Sequence, residues 1–365
     1  MKEPRDSSLA AIQTRARAIA TTIVARDRDG VTDPAPLREL AALGLLAAPA
    51  PGEAAALCEA MIELGAGSGD AGLALAWAAH TLGCALPIAR LADPRLRARL
   101  LPRLEAGALV GAWAHRDAVG SVTRARRGVG GYVLEGRKAW VVNGPIADVL
   151  LVTAITDDDR DELSAFVVER GAPGLCCGPR LAVAGARTCG IAELRLEGVH
   201  ASEDSMIGAP GDGRALVLPL VHRWQRGCQL APWLGLLQAA VADVTRRARA
   251  PGERARPRAA SQSTPARVAD MRLQLALCER MLARGAWQLD HHEADAERDL
   301  VAARLFVGDA IEALAREAQR LCAPGSCAPG DPLERLARDA PFADLLGHDR
   351  DTLRSILAGA LLGLG

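Results

Sequence analysis

The sequence predicts an α+β fold, mainly α. A helical domain (residues 1–108), a β-domain (109–212) and a second helical domain (213–365) follow one another. Three observations carry this. Apolar residues recur at three-and-four spacing through the first hundred positions, short β-branched runs alternate through the middle, and helical patterns return after it. A chain of 365 residues can bury a sizeable core.

The elements follow in order. "PAPLRELAALGLLAA" has helical spacing, and so does "DPRLRARLLPRLEAGALV", which opens on Asp93-Pro94 as a helix start does. Leu73 to Leu86, "LALAWAAHTLGCAL", is apolar on nearly all sides and predicts a core helix. "GYVLEGRKAWVVNG", "VLLVTAIT", "LSAFVVER" and "IAELRLEGVHA" predict antiparallel strands of a small barrel or sandwich. Gly-Ala-Pro-Gly at 171–174 marks a turn. After "GAPGDGRA" the helices resume. They are interrupted by "RARAPGERARPRAASQSTPARV" (247–268), whose composition predicts a solvated or disordered loop. Pro232 should bend the helix that contains it.

Composition excludes several classes. A formal net charge of +0 gives no overall basic field for nucleic acid or anionic membrane. No run of about 20 uninterrupted apolar residues predicts a membrane helix. The charged N-terminus, "MKEPRDSSLAAIQTRARAIA", lacks a signal-peptide hydrophobic region, so a cytoplasmic location is expected. The nine cysteines are scattered and read as buried thiols.

Three ordered phrases resemble the acyl-CoA dehydrogenase family. "GYVLEGRKAWVVNGPIADVLLV" is similar to the family's Gly-Tyr, Lys-x-Trp, Asn-Gly, Ala-Asp phrase. "GARTCGIAELRLEGVHASEDSMIG" is similar to its Gly-x-Arg-x-Ser, strand, Gly phrase, and "PLERLARDA" to its P-x-x-R-x-x-R-D-A. The resemblance implies a helical N-domain, a β-domain and a C-terminal four-helix bundle, with FAD and an acyl thioester meeting where the three join. It also implies a homo-oligomer, dimer or tetramer.

Against that family pattern the chemistry looks stripped. Counting from Arg338-Asp339-Ala340, the family's proton-abstracting glutamate falls on Gly347. The alternative carboxylate, just before an arginine that resembles Arg226, falls on Gln225. General base catalysis contributes about 10²–10⁴-fold, so losing both positions matters. The loop Thr-Glu-Pro-x-x-Gly-Ser has become "AHRDAVGS", ending at Ser121. Val142 stands where a Thr meets the flavin, two residues after Trp140. The Arg-x-x-Phe-Gly phrase is not recognisable, and the Gly-Gly-x-Gly turn has become "CAPGSC" (322–327). Many hydrogen bonds of about 0.5–1.5 kcal/mol each hold such a cofactor, so its loss is expected. If FAD does bind, the implied contacts are Trp140, Val142 and Ser121.

Three clusters are candidates for replacement chemistry. His222, Arg223 and Arg226 can share one helix face, to bind an anionic or enolised substrate or to supply a base; a polar face or a bundle salt bridge is the alternative. His115 with Asp117 could form an acid/base pair, or a solvated loop. His348 could stand in for the missing base, while Asp349 or Asp351 suits a helix cap. His291-His292 with Glu293 and Asp295 resembles a metal site only superficially, and no metal is expected.

The reading that follows is a repurposed enzyme doing redox-neutral cyclisation, isomerisation or elimination on a carbonyl-bearing, polyketide-like substrate of secondary metabolism. There are two alternatives. One is an FAD-dependent dehydrogenase of acyl-CoA or carrier-bound acyl groups with His222 or His348 as substitute base. The other is a non-catalytic partner of an intact family member.

Overall fold

The computed structural model describes residues 9–30, 32–157, 160, 162–250, 263–291 and 296–363. The first helical part comprises α1 (Leu9–Asp29), α2 (Ala35–Ala42), α3 (Ala54–Ser68) and α4 (Ala71–Trp77), a π-helical stretch (Ala78–Ala85), then α5 (Leu86–Leu91) and α6 (Pro94–Glu105). Asp70 caps α4 by accepting from Leu73 N, and Asp93 caps α6 by accepting from Arg95 N. The run Ala71–Leu91 is long and apolar enough to cross a membrane by length and composition alone. Its most apolar window is wholly buried here, as the core-helix expectation requires. π-helical turns often accompany functional sites, and this one packs on the sheet strand that bears Trp113: a Cβ on Gly83 would stand 2.6 Å from Trp113 Cβ.

The middle is one seven-stranded curled sheet of β1 (Gly111–Ala114), β2 (Arg124–Gly128), β3 (Gly131–Val142), β4 (Val149–Asp157), β5 (Glu162–Glu169), β6 (Leu175–Cys177) and β7 (Ile191–Ser202). The order is β1-β4-β2-β3-β7-β6, with β5 paired to β4. The expectation of purely antiparallel pairing needs correction, because β1 runs parallel to β4, and β2 meets β4 in parallel at Arg124 and Ile155. Backbone hydrogen bonding closes the sheet there without any alternating apolar pattern in the short strands.

The second helical part comprises α7 (Leu218–Cys228), α8 (Ala231–Arg249), α9 (Ser263–His291), α10 (Ala296–Cys322), α11 (Pro332–Asp339) and α12 (Arg350–Leu362). Pro232 does more than bend a helix. It sits in the first turn of α8, where a missing N–H costs nothing, and a break at Gln229–Leu230 separates α7 from α8. The predicted loop is helical at both ends, up to Arg249 and from Ser263; positions 251–262 lie outside the described residues.

Three apolar clusters hold the parts together. One joins the helices, including Trp77, Trp233 and Leu314; one lies within the sheet around Leu134 and Phe166. The third joins all three segments, bringing Ile88 and Leu100, Trp113 and Leu151, and Val217 and Val221 into contact. The candidate site lies at that triple junction.

Candidate functional site

Residues 115, 222 and 348 are far apart in sequence, and the fold brings them into one column of rings. His115 follows β1, and its ring stacks on Trp113 with centroids 5.4 Å apart. The His222 ring on α7 lies 6.2 Å from His115, edge on, and 4.0 Å from His348, which precedes α12. Burial pushes His115 down to about 4, with the Lys138 charge adding to it. It pushes His222 down to about 3, assisted by His348 and His115. His348 is lowered by burial and then by the Arg226 charge. Burial therefore keeps His115 and His222 neutral at neutral pH and biases His348 in the same direction.

The two positions at which the family places a carboxylate converge here. A Cβ built on Gly347 would stand 3.2 Å from Gln225 Oε1. Gly347 has φ +93°, a conformation that costs an L side chain strain. Gln225 is 2% exposed, and neither its Oε1 nor its Nε2 has a partner among the described residues. Arg226 pairs with Glu297, and burial, followed by repulsion from Arg304, pushes it down to about 10. Arg304 donates to the Ala343 and Leu346 carbonyls and pairs with Asp344, which fixes the turn carrying Gly347.

Some expected members are not there. Arg223 is on α7, but it does not line the small cavity formed by His222, Gln225, Arg226 and His348. Asp117 is not hydrogen-bonded to His115. It accepts from Lys138 Nζ at 2.7 Å and from Thr123 Oγ1 at 2.5 Å. His115 Nδ1 instead meets Thr153 Oγ1 at 3.0 Å. Asp349 caps α12 by accepting from Thr352 N, as the cap reading expects, and Asp351 pairs with Arg354. His291 stacks on Trp287; residues 292–295, which hold the rest of that cluster, lie outside the described residues. Cys176, Cys177 and Cys327 are exposed, against the expectation of buried thiols: the first two lie on the short edge strand β6, and Cys327 ends a surface turn of a single 3-10 helix.

Two residues escaped the sequence reading. Lys138 is 1% exposed and donates to His115 O, Asp117 and Thr153. Its signal was its rarity: besides Lys2 it is the chain's one lysine, among many arginines. Arg304 is 3% exposed in an otherwise apolar stretch, "VAARLFVG".

The residues present suit FAD in part. Trp140 is 43% exposed and held at φ +55° beside a register irregularity between β3 and β7. A bulky residue in that conformation is an outlier of the kind found at ligand sites, and the exposed indole is a face on which a flat ring can stack. The half-buried Ser121 keeps a hydroxyl, which accepts from Arg137 N at 3.1 Å. Val142 is fully buried and carries no donor.

Comparison with known proteins gives one consistent picture. The acyl-CoA dehydrogenase N-terminal domain matches residues 7–108, the middle domain 114–199 and the C-terminal domain 212–362. The L-prolyl-[peptidyl-carrier protein] dehydrogenase of Serratia sp. is 32% identical over 258 residues, covering 68% of this chain and 66% of that protein. The Pseudomonas fluorescens protein of the same name is 27% identical over 311 residues, covering 83% and 81%. The solved structure "PigA with FAD and proline" superposes with a TM-score of 0.91 at 25% identity over the whole of both chains. These relatives overturn the expectation of redox-neutral cyclisation, isomerisation or elimination on a polyketide-like substrate: both curated relatives are named as dehydrogenases, and the superposed structure holds FAD. The loss of a carboxylate at Gly347 and Gln225 does not by itself exclude dehydrogenation, because two imidazoles, His222 and His348, line the same small cavity.

Proposed function

This chain belongs to the acyl-CoA dehydrogenase family, and from that premise we propose that it is an FAD-dependent dehydrogenase. Its substrate is a small acyl group, prolyl-like, presented as a thioester on a carrier protein. The His222–His348 pair takes the part of the base. One observation carries the reading: these two rings, 4.0 Å apart, flank the point where Gln225 and Gly347 meet. The names of the curated relatives support the substrate class.

Trp140 and Ser121 would hold the cofactor. FAD, when bound, supplies the acceptor for the hydride that leaves the acyl chain. The rest is work for the protein's own groups. His348, the less buried of the pair, can receive a proton from the carbon beside the thioester carbonyl, with the His222 ring packed against it. Arg226 and Arg304 bring positive charge to the junction, which stabilises the enolate as it forms. Trp113 and His115 wall the junction from solvent and so strengthen that field.

The test is direct. Purified protein should carry flavin or gain thermal stability with it; a ligand at 100 times its Kd adds about 2.7 kcal/mol. Removing both imidazoles, His222→Ala with His348→Ala, should cut turnover of a carrier-bound prolyl thioester by about 10²-fold or more. Colourless protein that is indifferent to FAD, or turnover untouched by the double substitution, defeats the proposal.

A further inference from the structure

The junction between α7 and the turn before α12 holds a small, partly open cavity of about 10 Å³. A cavity needs about 10–15 Å³ to hold one water, so this one suits a single molecule. Its walls include His222, Gln225, Arg226, Arg304, Gly347 and His348. Five polar atoms of these walls are buried without a partner among the described residues: Gln225 Oε1 and Nε2, Arg226 Nε, Arg304 Nη1 and His348 Nδ1. Gln225, Arg226 and Arg304 are each more than nine-tenths buried. Buried polar groups are almost always paired, and where no side chain reaches, ordered water is the usual partner. Gly347 provides the room, since even a Cβ there would press on Gln225 Oε1.

We propose that this junction grips one catalytic water, that Gln225 is the residue that positions it, and that the water carries the substrate's α-proton to His348 Nδ1. The proposal rests on the dehydrogenase reading above and adds its proton path. An amide suits the task because it can donate and accept at once. Nε2 donates to one lone pair of the water, Oε1 accepts one of its hydrogens, and His348 Nδ1 accepts the other. The second lone pair is left for the substrate. In the transfer, the α C–H bond breaks and its electron pair stays on the substrate as the enolate. The proton forms a new O–H bond on the water, which passes its own proton to His348. No water is consumed and nothing is oxidised in this step.

The experiment uses prolyl-S-pantetheine in D₂O with the whole protein. It follows deuterium entry at the α-carbon by mass spectrometry, with flavin content measured alongside. Gln225→Leu should slow exchange by about 10²-fold or more without a change in thioester binding. His348→Ala should slow it as much, and the double variant no further, because the two act as one unit. Gln225→Glu, which brings its own proton acceptor, should keep exchange. A crystal structure at high resolution should show one ordered water against Gln225. Wild-type exchange in Gln225→Leu, additive losses, or no ordered water at Gln225 would each overturn the relay. Flavin-bound protein that turns over without regard to Gln225 defeats the relay and leaves the dehydrogenase standing. Flavin-free protein whose exchange depends on Gln225 does the reverse.

Discussion

In the sheet, Lys138 is 1% exposed and its ammonium donates to three acceptors at 2.7–3.4 Å. In the helical junction, Gln225 is 2% exposed and neither end of its amide has a partner among the described residues. Both are polar groups taken out of water. The first is fully spent on holding β1, β3 and β4 in register; the second has its hydrogen-bonding capacity left for something else. A satisfied buried network belongs to the architecture, whereas an unsatisfied one points to a ligand.

Acid should separate the two regions most strongly. Burial pushes His80 and His115 to about 4 and His222 to about 3, all below the ordinary 6.5. As pH falls below 6.5 the unfolded chain takes up these protons while the folded chain refuses them. Stability present above 6.5 is therefore lost, at up to about 1.4 kcal/mol per pH unit for each group. Asp339 opposes this. Burial raises its carboxyl to about 6, so the fold gains from it as pH falls from 6 to 3.8. The net loss between pH 6.5 and 4 should be on the order of 5 kcal/mol, read from urea midpoints at successive pH values. A flat profile would mean that the histidine column is solvated, and the contrast with the sheet would dissolve.

Substituting Lys138→Met should have the next largest effect. It takes the ammonium from Asp117, which keeps only its hydrogen bonds from Thr123, and removes a donor from His115 O and Thr153. Breaking a buried pair costs about 3–5 kcal/mol, and the lower end applies because Asp117 is 32% exposed and water can reach it. Urea denaturation is the check. A loss below 1 kcal/mol would show that the lysine is as dispensable to the architecture as Gln225 is predicted to be.

The sequence showed these regions unequally. The strands β3 and β7 were legible from buried and exposed residues that alternate along much of their length, and β4 and β5 from β-branched apolar runs bounded by turn residues. Asp349 and Pro232 were legible because caps and first-turn prolines act locally. β1 is four residues long and β2 is "RARRG", so neither has an apolar rhythm to read. The pairing of Asp117 with Lys138, and not with His115, is set across neighbouring strands. The histidine column is set by the packing of three segments, which no spacing rule reports. The family's altered motifs were legible, but what their alteration means for the reaction was not.

Gly347→Ala probes the unsatisfied side. With φ at +93°, an alanine there costs about 1–3 kcal/mol in backbone strain. Its Cβ also meets Gln225 Oε1 at 3.2 Å. A loss of about 2 kcal/mol is expected, measured as a urea midpoint. Combining it with Gln225→Ala should recover the contact and leave the strain, which separates the two causes. For the same reason Gly347→Glu is not a simple restoration of the family's base.

Gln225→Leu should show the smallest stability effect and the sharpest contrast. Leucine is close to glutamine in volume and carries no polar atom, so the substitution removes two buried groups that the protein itself does not satisfy. Replacing such groups with an apolar side chain of the same shape is neutral or stabilising, here by up to about 1 kcal/mol. The same variant should lose proton exchange at the substrate. Lys138→Met would then cost the fold, and Gln225→Leu would cost only the chemistry. If Gln225→Leu instead destabilised the protein by several kcal/mol, the amide would be part of the architecture after all, and the junction would be no more poised for a ligand than the sheet.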